Sequence, residues 1–229
     1  MKCIPDAIIF LCMAASSVIS KNAVMKMVNK IDVVIHSSVI INGEKVIYFD
    51  PFKLPENMPK ADVIFITHEH RDHMSPEDVA KIAQDSTVIV IPDTVKHVFK
   101  GSVITVSAGE ETTAAGIPVK VVPAYNTNKP NHPKDRGWVG YIITVDNTKV
   151  YFAGDTDRIP EMKTFDADIA LLPVSGVYVM TAEEAAEAAL DIKPKVAIPI
   201  HYGTVVGTRE DAQRFADLLK GKIEVVIKH

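Results

Sequence analysis

The sequence predicts one strand-rich α/β domain, and three observations predict it. From residue 31 onward the chain is broken into short β-branched runs. Three of the stretches between those runs open with helix-capping signals. The chain has 229 residues, 47% hydrophobic and 24% charged, which is enough to bury a full core in one domain and tight for two.

Taken in order, the first element is ambiguous. Residues 7–20, AIIFLCMAASSVIS, are apolar and small behind Met1 and Lys2, which suits the core of a signal peptide cleaved after Ser20. The stretch is too short to span a membrane. Asp6 weakens the positive start, and residues 21–30 fit a helical extension equally well, so two readings stand: an exported protein if residues 1–20 are removed, a cytoplasmic one if not. Residues 1–30 are set apart as an N-terminal extension and residues 31–229 as the domain. No integral membrane span is expected in that domain.

Strands are predicted at 31–35, 38–41, 45–50, 62–67, 87–91 and 103–106, and again at 119–123, 139–145, 149–154, 168–173, 195–200 and 223–227. Several are apolar throughout, the pattern of sheets covered on both faces. The first helix is signalled by Ser75 as N-cap, Pro76 at the first helical position and Asp78 two residues further on. Thr181 with Glu184 forms a capping box before AAEAAL, and Thr208 opens a third helix that runs to about residue 220.

Composition narrows the chemistry. The net charge is −4 and the 25 Lys and Arg are scattered, so nucleic acid is not the expected partner. Both cysteines, Cys3 and Cys12, precede the domain, which leaves it no thiol for a disulfide, a nucleophile or a metal. Any metal site must use imidazole and carboxylate, and no GxSxG nucleophile motif occurs.

The run DVIFIT leads straight into His68, Glu69, His70, Arg71, Asp72 and His73, and the Ser75 cap follows. In extended backbone, residues two apart face the same side, so His68 and His70 can grip one ion as a pair. Where the chain turns after His70, Asp72 and His73 can be redirected to a second ion. A lone loop histidine usually means nothing, but three with an aspartate in six positions are hard to read as surface polarity. Two further strand ends deliver Asp155, in AGDTD, and His201, in IHYG. An isolated aspartate after a strand is more often a turn-former and a lone histidine there a packed core residue, yet all three sites share one placement, and in layered α/β folds strand ends converge on the ligand.

THEHRDH, AGDTD and IPIHYG, in this order and spacing, resemble the metallo-β-lactamase superfamily. The closer similarity is to its L-ascorbate-6-phosphate-lactonase-like branch, which includes phospholipase-D-type members. It extends through IHSSVIINGEKVIYFDPF (35–52) and PAYNTNKPNHPKDRGWVGYIITVDNTKVYFAGDTD (123–157). The resemblance implies a four-layered αββα sandwich with two divalent ions, Zn2+ by default, Mn2+ or Fe2+ being compatible with the donors. It puts His68 and His70 on the first ion, Asp72, His73 and His201 on the second, and Asp155 between them. The implied reaction is attack of a metal-bridging hydroxide on an ester, lactone or phosphodiester of a small molecule, with Asp72 orienting the water and relaying protons.

The chain departs from the family where another first-site histidine is expected: Asn126 stands at the end of VKVVPAY. Either His132 reaches back from the following loop, or Asn126 marks a degraded or single-metal site. Asp50 is the candidate carboxylate behind a ligating imidazole, and His36 is expected beside the site rather than on the metal. Lys129, Lys134 and Arg136 surround His132 and could attract an anionic substrate, although loop charges are usually just solvated. Trp138, Tyr141, Tyr178 and Tyr202 are rim candidates, and core packing is the expected role of at least two. His97 and His229 match no part of the pattern and read as surface residues. The alternatives are a phosphodiesterase acting on lipids or nucleotides and a metal-binding or sensor module without turnover. A homo-oligomer is compatible with the sequence.

Overall fold

The computed structural model describes residues 21–228; both cysteines, His229 and the signal-peptide reading of residues 1–20 lie outside the described residues. Two sheets divide the chain between them. The first takes β1 (Ile31–Ile35), β2 (Ser38–Asn42), β3 (Val46–Phe49), β4 (Val63–Phe65), β5 (Val88–Pro92) and β6 (Ser102–Val106), paired in that order. The second takes β7 (Glu111–Ala114), β8 (Ile117–Pro123), β9 (Val139–Val145), β10 (Thr148–Phe152), β11 (Ile169–Pro173), β12 (Val196–Ile200) and β13 (Glu224–Val225), again in chain order. In each sheet the chain begins with antiparallel hairpins and ends in parallel pairs, β3 to β6 in one and β10 to β13 in the other.

Alternation along the strands builds the layers. Ile47, Phe49, Val63 and Phe65 point inward to meet Val150, Phe152, Ile169 and Leu171 of the opposite sheet. Phe49 stacks on Phe65 and on Phe152, with ring centroids 5.1 and 4.6 Å apart, so one aromatic column ties the sheets together. The alternate residues Tyr48, Ile64 and Ile66 face outward beneath Val79 and Ile82 of helix α2 (Pro76–Ile82). On the other side Tyr151, Ala170 and Leu172 lie beneath α3 (Ala182–Ile192) and α4 (Arg209–Leu219). The result is the expected four-layered αββα sandwich, and strands covered on both faces explain the runs without polar residues.

The capping signals are used as predicted. Ser75 Oγ accepts the N–H of Asp78 at 3.3 Å, and Thr181 exchanges bonds with Glu184 in both directions. The Asp211 carboxylate accepts the Thr208 N–H at 2.7 Å. Three points differ from the sequence reading. Glu111–Ala114 is an edge strand whose mostly polar ETTA has only Ala114 buried, so it gives no apolar alternation to read. β13 is shorter than the predicted 223–227. Residues 21–30 are helical (α1) and belong to the core: Val24, Met27 and Val28 are buried between the sheets, so the packed unit begins before residue 31.

Candidate metal centre

The site forms at one edge of the sandwich, where strand C-termini of both sheets meet. β4 delivers Thr67, His68 and His70, β10 delivers Asp155, and β12 delivers His201. β1 and β3 bring in His36 and Asp50. Three of these residues leave their strands with left-handed backbone, His36 at φ 54°, Asp50 at 43° and His201 at 60°. Such conformations cost side-chain-bearing residues energy and persist only where surrounding structure enforces them. Before Asp155, Gly154 turns at φ 64°, and a Cβ there would lie 3.0 Å from Thr67 Cβ. Glycine lets β10 pass close to β4 and set Asp155 opposite His68.

Asp155 is the hub. Its Oδ2 lies 3.2 Å from His132 Nε2, 3.2 Å from His201 Nε2 and 3.9 Å from His68 Nε2, and its Oδ1 lies 3.3 Å from His73 Nε2. Two sets of four potential ligands lie here, His68, His70, His132 and Asp155 in one and His36, Asp72, His73 and His201 in the other, and Asp50, His68 and His73 form a third, overlapping group; in each the donor atoms lie within 4.8 Å of one another.

The protons on several rings follow from their other partners. Asp50 Oδ2 is 2.7 Å from His73 Nδ1, so that nitrogen carries hydrogen toward the carboxylate. Thr67 Oγ1 donates to the same Asp50 oxygen at 2.7 Å; its one hydrogen is thereby engaged, and it accepts from His68 Nδ1 at 2.9 Å. His132 Nδ1 faces two acceptors, Asn126 Oδ1 at 3.1 Å and the Tyr178 carbonyl at 3.2 Å. In neutral His73 and His132 the Nε2 lone pair is therefore bare and aimed at Asp155, whereas His68 Nε2 lies 3.0 Å from His70 Nδ1. Ser175 Oγ meets His201 Nδ1 at 3.0 Å. Nε2 of His73, His132 and His201 and Oδ1 of Asp155 are all buried without a hydrogen-bond partner. Bare nitrogens converging on a buried carboxylate form a donor set that a cation satisfies and nothing else in the cluster does. The residues fit the metal ions that the family resemblance implies.

The electrostatics of the metal-free cluster are mixed: burial opposes charge on His73, but Asp155 and Asp50 raise it well above the ordinary histidine range, so its Nε2 holds a proton that a bound cation would displace. Burial holds His68 well below the ordinary histidine range, neutral and ready to ligate, and burial lowers His70 as well. For Asp155 burial opposes charge, but His201, His73 and His132 outweigh it and keep the carboxyl well below its usual range. Burial likewise opposes ionised Asp72, yet the His36 and His73 rings hold it down to about 2.

Around Asn126 the loop is tied back on itself. Asn126 N–H donates to the His132 carbonyl at 2.6 Å, and Asn126 Oδ1 accepts the His132 N–H at 2.9 Å. The amide clamps the loop, and the imidazole returns to Asp155. Asp157, two residues beyond Asp155, secures the same loop through the N–H of Thr127 and the ammonium of Lys129. Asp50 Oδ2 contacts His73 Nδ1 and the Thr67 hydroxyl. His36 comes closer than expected: it stands among the second set, buried, with neither ring nitrogen hydrogen-bonded and Nε2 3.4 Å from Asp72 Oδ2.

Of the residues expected to meet substrate, the three basic ones have acidic partners. Lys129 pairs with Asp157 at 2.6 Å, Lys134 with Glu161 at 3.1 Å, and Arg136 with Glu69 at 3.5 Å. Their charges are matched locally. Tyr202 is buried in the helix-side core and Tyr141 between the sheets, where its hydroxyl donates to the Ile66 carbonyl. Trp138 packs against His68, His70 and His132. Tyr178 is 42% exposed, and His97 is half-buried. The roles of Thr67 and Asp157 carry no sequence signal beyond membership of the motifs, and that of Ser175 carries none.

Residues 30–201 match the family described as Beta-lactamase superfamily domain. The chain is 30% identical to a UPF0173 metal-dependent hydrolase of Pyrococcus abyssi, covering 84% of this chain and 92% of the relative. It is 33% identical to another UPF0173 metal-dependent hydrolase, from Thermoplasma acidophilum, covering 80% and 87%. Among solved structures, a Parabacteroides distasonis chain described as a metal-dependent hydrolase superposes with a TM-score of 0.76 at 36% identity, covering 86% of this chain and 91% of that one. With its fold, its histidine and aspartate cluster and these relatives in agreement, the chain belongs to the metallo-β-lactamase superfamily.

Proposed function

We propose that this protein is a hydrolase dependent on two divalent ions, zinc by default, with manganese and iron compatible with the same imidazole and carboxylate donors. His68, His70 and His132 would hold one ion and Asp72, His73 and His201 the other, with His36 in reach of the second and Asp155 beside both. When bound, such a pair supplies an activated water and a Lewis acid for cleaving an ester, lactone or phosphodiester. The observation that carries the reading is the set of buried Nε2 atoms of His73, His132 and His201, without hydrogen-bond partners and converging on Asp155.

The chain's own groups have separable tasks. Asp50 and Thr67 fix the tautomers of His73 and His68 and raise their basicity as ligands. Asp72, ionised down to about pH 2 in the metal-free protein, accepts hydrogen bonds and orients water rather than giving up a proton. Its side chain is 27% exposed while those of His36, His73 and Asp155 are buried, so reactant reaches the centre past Asp72. The relatives' description as metal-dependent hydrolases supports the reaction class, and the lactonase-like and phospholipase-D-like branch supplies the first substrates to try.

The test is a panel of simple lactones and aryl esters against bis-p-nitrophenyl phosphate, run on metal-loaded wild type and Asp155→Ala. Turnover on either arm is expected, with the variant at about a hundredth of wild type or less and an unchanged far-UV circular dichroism spectrum. Full metal occupancy with no turnover on any arm would leave a metal-binding module in place of an enzyme.

A further inference from the structure

The metal-binding cluster opens into a groove of ≈ 840 Å³, with Asp72 in its wall. That volume lies within the roughly 300–1,000 Å³ of small-molecule sites. Phe52 and Met74 line it together with Tyr178 and Val205, which are 42% and 45% exposed. Exposed apolar side chains gathered beside a reactive centre mark a binding surface more often than chance exposure does.

Two cations stand in the same wall, Lys53 and Arg71, and among the described residues neither has a carboxylate within ion-pair distance. This separates them from Lys129, Lys134 and Arg136, each of which is paired. The acids of the groove do not cancel them. Asp78 accepts the N–H groups of Lys53 and Leu54 at 2.7 and 3.0 Å and pairs with Lys81 at 3.2 Å. Asp72 belongs to the ligand cluster, which leaves Glu77 alone against two unmatched positive charges. Lys53 is also held in place, because its backbone is in the left-handed region at φ 47° and anchored by Asp78.

We propose that the groove selects an amphiphilic anion: a substrate whose scissile group reaches the centre past Asp72, whose second, non-reacting oxyanion meets Arg71 and Lys53, and whose apolar part lies against Tyr178, Val205 and Phe52. The inference rests on the hydrolytic reading above. Arg71 is the principal anchor, since its planar fork matches carboxylate or phosphate oxygens in pairs, whereas Lys53 offers a point charge.

The experiment compares p-nitrophenyl monoesters of a medium-chain dicarboxylic acid with their methyl-capped, uncharged analogues. It uses metal-loaded wild type, Arg71→Ala, Arg71→Lys and Lys53→Ala. Wild type is expected to show the lower KM for the free acid. Arg71→Ala should raise the ratio of the free-acid KM to the capped KM by about tenfold or more, with Arg71→Lys recovering part of the difference and Lys53→Ala shifting it less. Octanoate, octyl phosphate and octanol are measured alongside by calorimetry, which separates the carboxylate and phosphate forms of the oxyanion and does not need turnover. Equal KM values for the two esters, or an unchanged ratio in Arg71→Ala, would overturn the inference while leaving the hydrolase standing. If neither ester is cleaved, carboxylic-ester cleavage fails and the hydrolytic reading rests on the phosphodiester arm; the groove's preference then stands only if octanoate or octyl phosphate binds more tightly than octanol and Arg71→Ala weakens it by about tenfold, and falls otherwise.

Discussion

At Asn126 the chain places an amide where an imidazole is expected, and the hydrogen bonds show how the two exchange work. Asn126 is tied to His132 through both backbone and side chain, and His132 Nε2 lies 3.2 Å from Asp155. Removing the imidazole deletes a donor outright, whereas removing the amide leaves the donor present but less firmly oriented. His132→Ala should therefore lower affinity at the first site by more than about tenfold, and Asn126→Ala by less, as competitive chelator titration of both variants would show. Wild-type affinity in His132→Ala would reassign the residue to the substrate loop. His68, His70, Asp72 and His73 were legible in the sequence because they crowd one strand-to-helix turn. His36 was legible only as a neighbour of the site and Ser175 not at all, since each gains its contacts only when β1 and the segment after β11 close around His201.

The element that sets the site is the strand end, and its most sensitive point is Gly154. Its backbone is left-handed and its missing Cβ would meet Thr67, the residue that fixes the His68 tautomer and bonds Asp50. Gly154→Ala should destabilise the fold by more than about 1 kcal/mol and weaken metal binding together, read by denaturant unfolding and by metal titration. A variant with wild-type stability and affinity would mean that β10 need not approach β4 so closely. Strands and helix starts could be read from residues 31 onward because double burial removes polar residues from strands and caps demand particular side chains. β7 escaped because an edge strand with one solvated face needs neither.

Across the whole molecule, two sheets share one inner core and each carries helices on its outer face, so the site edge is held by packing from both halves of the chain. Helix α1 joins that core, which its position in an apparent N-terminal extension concealed. Met27→Ala should accordingly cost about 2–5 kcal/mol in chemical denaturation, the range for a truncated core side chain; a loss under about 0.5 kcal/mol would return residues 21–30 to the periphery. The basic loop after β8 misled in the opposite sense, because charge that looks available in sequence is matched by Asp157, Glu161 and Glu69 once the loop folds. The central claim is that this architecture brings its histidines and aspartates together to hold two cations. Elemental analysis of the purified protein tests it most directly: close to two divalent ions per chain are expected after growth in metal-supplemented medium, and a chain that folds yet carries no metal under those conditions would contradict the account.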